Sequence, residues 1–152
     1  MAEAAGIAYE RLGEGPPLLL VHGLGATRAI WRPQIDALVR EREVIAADMP
    51  GFGDSPLLDR PPTPWAMGEA IAAMCSEIGV ERPHIAGNSL GGWVALEMAK
   101  ADAAASLCLI SPAGLWRRPL GPRTVDTRRW AKRLRPVLAA AARNPRLRHA
   151  IL

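Results

Sequence analysis

The sequence is poor in the features that mark secreted and membrane-spanning proteins. It has two cysteines, Cys75 and Cys108, among 152 residues. Two cysteines are too few for a disulfide framework, and because both lie in apolar segments we expect buried thiols in a reducing compartment. The longest apolar run, Val137–Ala142, is far shorter than the ~20 residues of a membrane span. The N-terminus lacks a basic start followed by an apolar core, so we expect no signal peptide and predict a cytoplasmic location.

Acidic residues are almost absent from the last part of the chain. Residues 1–116 hold 8 Lys/Arg against 14 Asp/Glu, whereas residues 117–152 hold 11 against one, Asp126. This asymmetry predicts two regions, a globular part over residues 1–114 and a basic helical segment over residues 115–152.

The first region alternates short apolar runs with longer amphipathic ones. The runs predicted as strands are Ile7–Leu12, Leu18–Val21, Glu43–Asp48, Pro83–Ala86 and Ser106–Ile110. The helical spacings predict helices over Ile30–Arg40, Trp65–Ile78 and Ser89–Lys100. Strands that alternate with helices of this length predict an α/β fold, a mostly parallel sheet flanked by helices.

Three glycine-containing loops follow closely on predicted strands. They are His22–Gly25, Gly51–Ser55 and Asn88–Leu90. In parallel sheets the working loops lie beyond the carboxyl ends of the strands, so we expect all three loops at one edge of the sheet.

The third loop contains a serine between glycines, in the sequence Gly87-Asn-Ser-Leu-Gly91. A strand-to-helix turn this sharp strains the central residue and lifts its side chain clear of the sheet. We expect Gly87 and Gly91 to face each other across the turn, where a Cβ would collide. Ser89 is therefore predicted to be a nucleophile, and the alternative is that it only caps the following helix.

The first loop, His22-Gly-Leu-Gly25, ends a buried strand with small residues, so backbone N–H groups are free to point outward. An acyl-transfer oxyanion needs two such donors. We predict the N–H groups of Leu24 and Leu90 as the pair, with Gly25 as the reserve for Leu24. The alternative is that this loop is only a tight turn.

In this order and spacing, His22–Gly25, Asp48–Ser55 and Gly87–Gly92 resemble the α/β-hydrolase superfamily. The resemblance covers roughly residues 5–115, the first half of a hydrolase core. Serine at position 89 implies an esterase, a lipase-like enzyme, a carbon–carbon-bond hydrolase or a cofactor-free haloperoxidase-like relative, acting on a small molecule. It also implies that Asp48 and Gly51–Ser55 shape the loop beside the site. We predict no cofactor-binding and no metal-binding residues.

A base for the serine is missing from the sequence. His22 belongs to the first loop, and His84 begins the strand before Ser89, about 16 Å away at ~3.3 Å per residue. His149 lies in an arginine-rich stretch without the glycines usual around a catalytic histidine of the superfamily. In the superfamily the acid and the histidine follow the serine, and Asp126 is the one carboxylate after residue 110. We therefore expect an amino-terminal fragment that lacks both the triad acid and the triad histidine.

The basic segment, residues 117–148, has apolar residues at helical spacing and is interrupted by Pro136, which predicts a kinked amphipathic helix. An arginine-rich helix of this kind binds nucleic acid or an anionic membrane in some proteins. In the superfamily, however, a helical lid commonly begins at this point in the chain. We favour the start of a lid and expect no nucleic-acid partner.

A second interpretation remains open, in which the chain is non-catalytic. It would then bind a ligand or a partner and self-associate through its open sheet edge. The serine between glycines favours the hydrolase, because a pure scaffold has no need of a strained turn.

Overall fold

The computed structural model of the chain describes residues 2–115. They belong to the first of two units, Met1–Leu115 and Trp116–Leu152. The predicted basic helix, Asp126 and His149 lie outside the described residues, so the predicted lid and the boundary at residue 114 stay predictions.

The described residues form an α/β fold, as predicted. Strands β1 to β6 are Ala2–Ala4, Ile7–Leu12, Pro17–Val21, Glu43–Ala47, His84–Asn88 and Ser106–Ile110. Helices α1 to α3 are Arg32–Leu38, Pro64–Glu77 and Leu90–Lys100. All five predicted strands are present, and β1 is the strand that the sequence did not reveal, because three residues are too short for a pattern to register.

The six strands form one sheet in the order β1-β2-β4-β3-β5-β6. Strands β4, β3, β5 and β6 are parallel, while β1 and β2 run antiparallel to their neighbours. The register pairs Val21 with Ala47 and with Gly87. The loops that follow β3, β4 and β5 therefore leave the sheet at one edge, which we call the carboxyl edge.

Alternate side chains of the central strands enter two different clusters. Leu19, Val21 and Ile45 pack with α2 and α3 in the larger cluster. Leu20 and Val44 pack on the opposite face with Trp31 and Ile35, from the segment around α1. Both faces of β3 and β4 are thus buried, which explains why these strands are apolar throughout.

The predicted helix over Ile30–Arg40 is instead divided. A 3₁₀ helix, Arg28–Trp31, comes first, with Thr27 as its N-cap, and α1 begins only at Arg32. Pro33 explains where α1 begins, because a residue without an N–H fits the first turn of a helix better than its interior.

The prediction that both cysteines are buried is wrong for one of them. Cys75 is buried in α2, but Cys108 is exposed. Strand β6 is the last strand of the described sheet, and alternate residues, Ser106, Cys108 and Ile110, are exposed. An apolar neighbourhood in sequence does not reveal which face of a strand is covered.

None of the helices in residues 2–115 has the length and apolar character that crossing a bilayer requires. The predicted location of the protein stays a prediction.

Candidate active site

Ser89 lies between β5 and α3 in a strained backbone conformation, with φ +52° and ψ −112°. Its N–H donates to the carbonyl oxygen of Ile110 at 3.0 Å, and its own carbonyl oxygen accepts from the N–H groups of Gly92 and Ala113. Its side chain makes no capping hydrogen bond to α3. The alternative that Ser89 serves as a side-chain cap therefore has no support in the structure.

The two glycines around the serine are required for different reasons. A Cβ at Gly87 would lie 2.5 Å from the carbonyl oxygen of Gly91, so Gly87 does face Gly91 across the turn as expected. A Cβ at Gly91 would instead overlap the carbonyl oxygens of Val21 and His22 at the end of β3. Gly91 thus lets the first turn of α3 pack directly on the β3 backbone, a long-range contact that the sequence motif does not show.

The loop after β3 lies against the serine. A Cβ at Gly23 would be 3.4 Å from the Cβ of Ser89, and Ala26 N–H donates to the Gly23 carbonyl oxygen in a tight turn. The side chain of Leu24 is 75% exposed. Leu24 and Leu90, the predicted oxyanion donors, follow β3 and β5 at the carboxyl edge, and the convergence of their N–H groups on one oxygen stays a prediction.

His22 holds this loop to its neighbour with both ring nitrogens. The N–H of Met49 donates to Nε2 at 3.0 Å, so Nε2 carries no proton and Nδ1–H donates to the carbonyl oxygen of Gly23 at 2.8 Å. The side chain is fully buried, and this burial lowers its pKa, although the Gly23 hydrogen bond opposes the shift. His22 is therefore a neutral brace between the loops after β3 and β4, and neither nitrogen is free to act as a base.

A model of the alpha/beta hydrolase family matches residues 18–151, most of the chain. The chain belongs to the alpha/beta hydrolase family.

Relatives of this alpha/beta hydrolase include proteins named for acyl chemistry. A pimeloyl-(acyl-carrier protein) methyl ester esterase of Aeromonas hydrophila is 40% identical over 95 residues, which are 61% of this chain and 35% of that protein. The dihydrolipoyllysine-residue acetyltransferase component of an acetoin cleaving system of Pseudomonas putida is 39% identical over 110 residues, 70% of this chain and 30% of that protein. The structure of a thermophilic esterase from Thermogutta terrifontis matches with a TM-score of 0.69 and 35% identity, covering 85% of this chain and 48% of that one. The chain thus spans less than half the length of each of these relatives.

In this alpha/beta hydrolase, Asp48 organises the loop after β4. Its carboxylate is fully buried and accepts from the Arg28 N–H at 2.6 Å, from the Arg28 guanidinium and from the Asp54 N–H at 3.0 Å. A Cβ at Gly53 would overlap this carboxylate. The implied role of Asp48 and Gly51–Ser55 in shaping the loop agrees with this geometry. Sequence reasoning missed Arg28. The buried position predicted for Asp48 could have pointed to it, because a buried carboxylate requires a cationic or hydrogen-bonding partner.

His84 lies at the opposite end of β5 from the serine. Its Nδ1 is 2.7 Å from Oγ of Ser106, at the start of β6. Because His22 uses both nitrogens and His84 is remote, neither histidine of residues 2–115 is placed to take the proton of Ser89. Residues 2–115 also bring together no group of three His, Cys, Asp or Glu side chains that could hold a metal ion.

The segment after β6, Ser111–Gly114, also contacts the turn that contains Ser89. Sequence reasoning missed this contact. The N–H of Ala113 donates to the Ser89 carbonyl oxygen at 2.8 Å. The signal in the sequence was weak, because a proline and a glycine after a strand indicate a turn but do not show which segment the turn contacts.

Proposed function

We propose that this chain supplies the nucleophile half of a serine hydrolase that acts on an ester or a related carbonyl compound. The observation that carries the proposal is the backbone of Ser89, strained at φ +52° while its side chain is not used as a helix cap. Strain of this kind persists at functional sites, where the surrounding structure enforces it. Ser89 also lies at the N-terminus of α3, whose positive end favours developing negative charge.

The proposed reaction begins when Oγ of Ser89 attacks the substrate carbonyl carbon. The carbonyl oxygen becomes an oxyanion, which the N–H groups of Leu24 and Leu90 hold in our proposal. One such donor contributes about 3 kcal/mol of transition-state stabilisation in known hydrolases. The relatives named as esterases are consistent with this substrate class.

The proton of Ser89 needs an acceptor, and we propose that the triad acid and histidine lie outside residues 2–115. The engagement of His22 and the position of His84 support this, since neither is placed to serve. The family match extends to residue 151 and so includes the basic segment 117–148. This supports our proposal that the segment begins a lid, and the absence of a nucleic-acid partner stays a prediction.

A serine-directed label tests the nucleophile. We expect a fluorophosphonate to add once to the 152-residue chain, slowly, because no described base activates the hydroxyl. Intact-mass spectrometry should show that Ser89→Ala abolishes the adduct and that Ser76→Ala, an exposed serine on α2, does not. Equal labelling of Ser89→Ala and the unmodified chain would refute the assignment.

Hydrolysis of an activated ester tests the missing base separately. We expect turnover far below that of a complete serine hydrolase. Rapid turnover that Ser89→Ala abolishes would show that the chain already holds a base, and would overturn that part of the proposal.

The second candidate function is a non-catalytic chain that associates with another copy along β6. It is favoured by the exposure of Cys108 and by Ile110, which is 44% exposed. In the described sheet β6 pairs only with β5. A concentration-dependent mass in sedimentation, together with an unlabelled Ser89, would support it, whereas a monomer at all concentrations would exclude it.

A further inference from the structure

The four residues after β6, Ser111–Gly114, form what we call the β6 loop, and three of them contact Ser89 or the beginning of α3. Pro112 packs on Gly92, where an added Cβ would lie 2.8 Å from the Pro112 Cβ. Ala113 donates its N–H to the Ser89 carbonyl oxygen at 2.8 Å. Gly114 lies on the ring of Trp93, where an added Cβ would be 2.6 Å from Cδ2.

These contacts hold Ser89 from both of its peptide groups. The Ser89 N–H donates to Ile110, the last residue of β6, and the Ser89 carbonyl oxygen accepts from the loop that follows. Ser111 is itself strained, with φ +44°. Two strained non-glycine residues therefore lie at the ends of neighbouring strands. Such conformations are unfavourable for a residue with a side chain and persist only where neighbouring groups enforce them.

The Trp93 ring is a fixed support for the loop. Its Nε1–H donates to Oε1 of Glu97 at 3.0 Å, one helical turn further along α3. Gly114 has φ +84°, and an added Cβ would lie within 3.0 Å of three atoms of the ring, so both its backbone angle and its lack of a side chain suit this contact.

We infer that the β6 loop, seated on Trp93, is a clamp that holds the backbone of Ser89 in its strained conformation, and that Trp93 and Gly114 are positioning residues for the nucleophile. The catalytic meaning of this inference rests on the proposed function of Ser89. The clamp itself is a matter of backbone geometry and is measured independently.

The test compares Gly114→Ala with Gly79→Ala in the full chain. Gly79 has φ +80° and nothing within 4 Å of an added Cβ, so the two alanines carry the same backbone strain and differ in their surroundings. For Gly114→Ala we expect the amide protons of Ser89 and Ala113 to exchange about tenfold faster, as for the loss of one hydrogen bond. We also expect fluorophosphonate labelling of Ser89 to slow by about tenfold or more, because small displacements of a reacting group are costly. Gly79→Ala should change neither.

A second pair of variants avoids the steric overlap, in case Gly114→Ala does not fold. Trp93→Leu removes the aromatic ring beneath Gly114. We expect it to raise the rate of amide exchange at Ala113 and to lower the rate of fluorophosphonate labelling at Ser89. Trp93→Phe keeps an aromatic ring there and should retain most of both properties, although it loses the Glu97 hydrogen bond.

Amide exchange and labelling decide different questions. If exchange at Ser89 and Ala113 is the same in Gly114→Ala as in Gly79→Ala, and the same in Trp93→Leu as in Trp93→Phe, the clamp is refuted. If exchange changes as expected but the unmodified chain is never labelled at Ser89, the proposed function fails and the clamp stands. If the substitutions act only on overall stability, they lower the melting temperature, but the two variants of each pair do not differ in amide exchange or in labelling.

Discussion

The two edges of the sheet differ in how their polar groups are held. At the carboxyl edge, His22 and Asp48 are fully buried and their side chains are bonded to backbone groups of neighbouring loops. At the opposite edge, where the parallel strands begin and which we call the amino edge, His84 is half-buried beside the exposed Ser106. The side chains of Arg82 and Asp102, which form an ion pair there, are 56% and 83% exposed.

This difference shows where the fold requires a fixed geometry. A buried polar group is tolerated only when its partners are in place, so each such group ties its loop to one arrangement. An exposed group exchanges its partner for water at little cost. The strained Ser89 lies at the constrained edge, which agrees with the nucleophile role that we propose for it.

The strongest test of this contrast compares Gly91→Ala with Gly79→Ala. The first places a Cβ on the carbonyl oxygens of Val21 and His22, whereas the second meets only solvent. We expect Gly91→Ala to cost more than about 4 kcal/mol and to prevent folding, and Gly79→Ala to cost about 1–2 kcal/mol from backbone strain alone. Thermal unfolding followed by circular dichroism measures both, and a cooperative melt of Gly91→Ala near that of the unmodified chain would contradict the contrast.

The two ion pairs give the next largest difference. Asp48→Asn removes the fully buried carboxylate from its ion pair with Arg28, which keeps its pairs with Asp54 and Glu10, and we expect a loss of about 2–3 kcal/mol in the free energy of unfolding. Asp102→Asn should cost less than about 1 kcal/mol, because its pair is exposed and asparagine also tolerates the positive φ of that position. Urea unfolding at neutral pH compares them, and equal losses would mean that burial is not what distinguishes the edges.

The stability of the fold should depend on pH through His22. Burial lowers the pKa of His22 in the folded state below its ordinary value of 6.5, so the unfolded chain binds the proton more readily. The contribution of His22 to stability is therefore complete above pH 6.5 and is lost as the pH falls below it, with a slope of at most about 1.4 kcal/mol per pH unit. Urea unfolding measures this between pH 8 and pH 5, about 1.5 units on either side of an ordinary histidine pKa. The free energy of unfolding should fall less over this range in His22→Gln than in the matched variant His84→Gln. An identical slope in the two variants would show that His22 is not the group responsible.

The smallest expected effect concerns the chemical reactivity of the two thiols. Burial raises the pKa of Cys75 to about 12, so this thiol should stay unreactive in the folded protein. Exposed Cys108 should react with a disulfide reagent at once, and Cys75 only after denaturation. The variants Cys108→Ser and Cys75→Ser show which thiol reacts before denaturation and which reacts after it. Rapid reaction of two thiols in the native chain would contradict the burial of Cys75.

The sequence predicted those parts of the molecule that depend on local patterns. Apolar runs predicted five strands within two residues of their ends, and the glycines around Ser89 predicted its strained turn. What it did not predict depends on contacts between distant segments. The support of Ser89 by Ala113, the pairing of Arg28 with Asp48 and the exposure of Cys108 follow from the order of strands in the sheet, which no local spacing records.

The hydrogen bond from the Ser89 N–H to Ile110 also affects the chemical ageing of the protein. Asparagine followed by a small residue deamidates when the next backbone nitrogen attacks the asparagine side-chain carbonyl and closes a five-membered imide. In Asn88-Ser89 that nitrogen is engaged with β6 and its backbone angle is fixed at φ +52°. The fold therefore protects the amide of Asn88, and a conformation in which the turn opens exposes this bond to slow conversion into aspartate and isoaspartate.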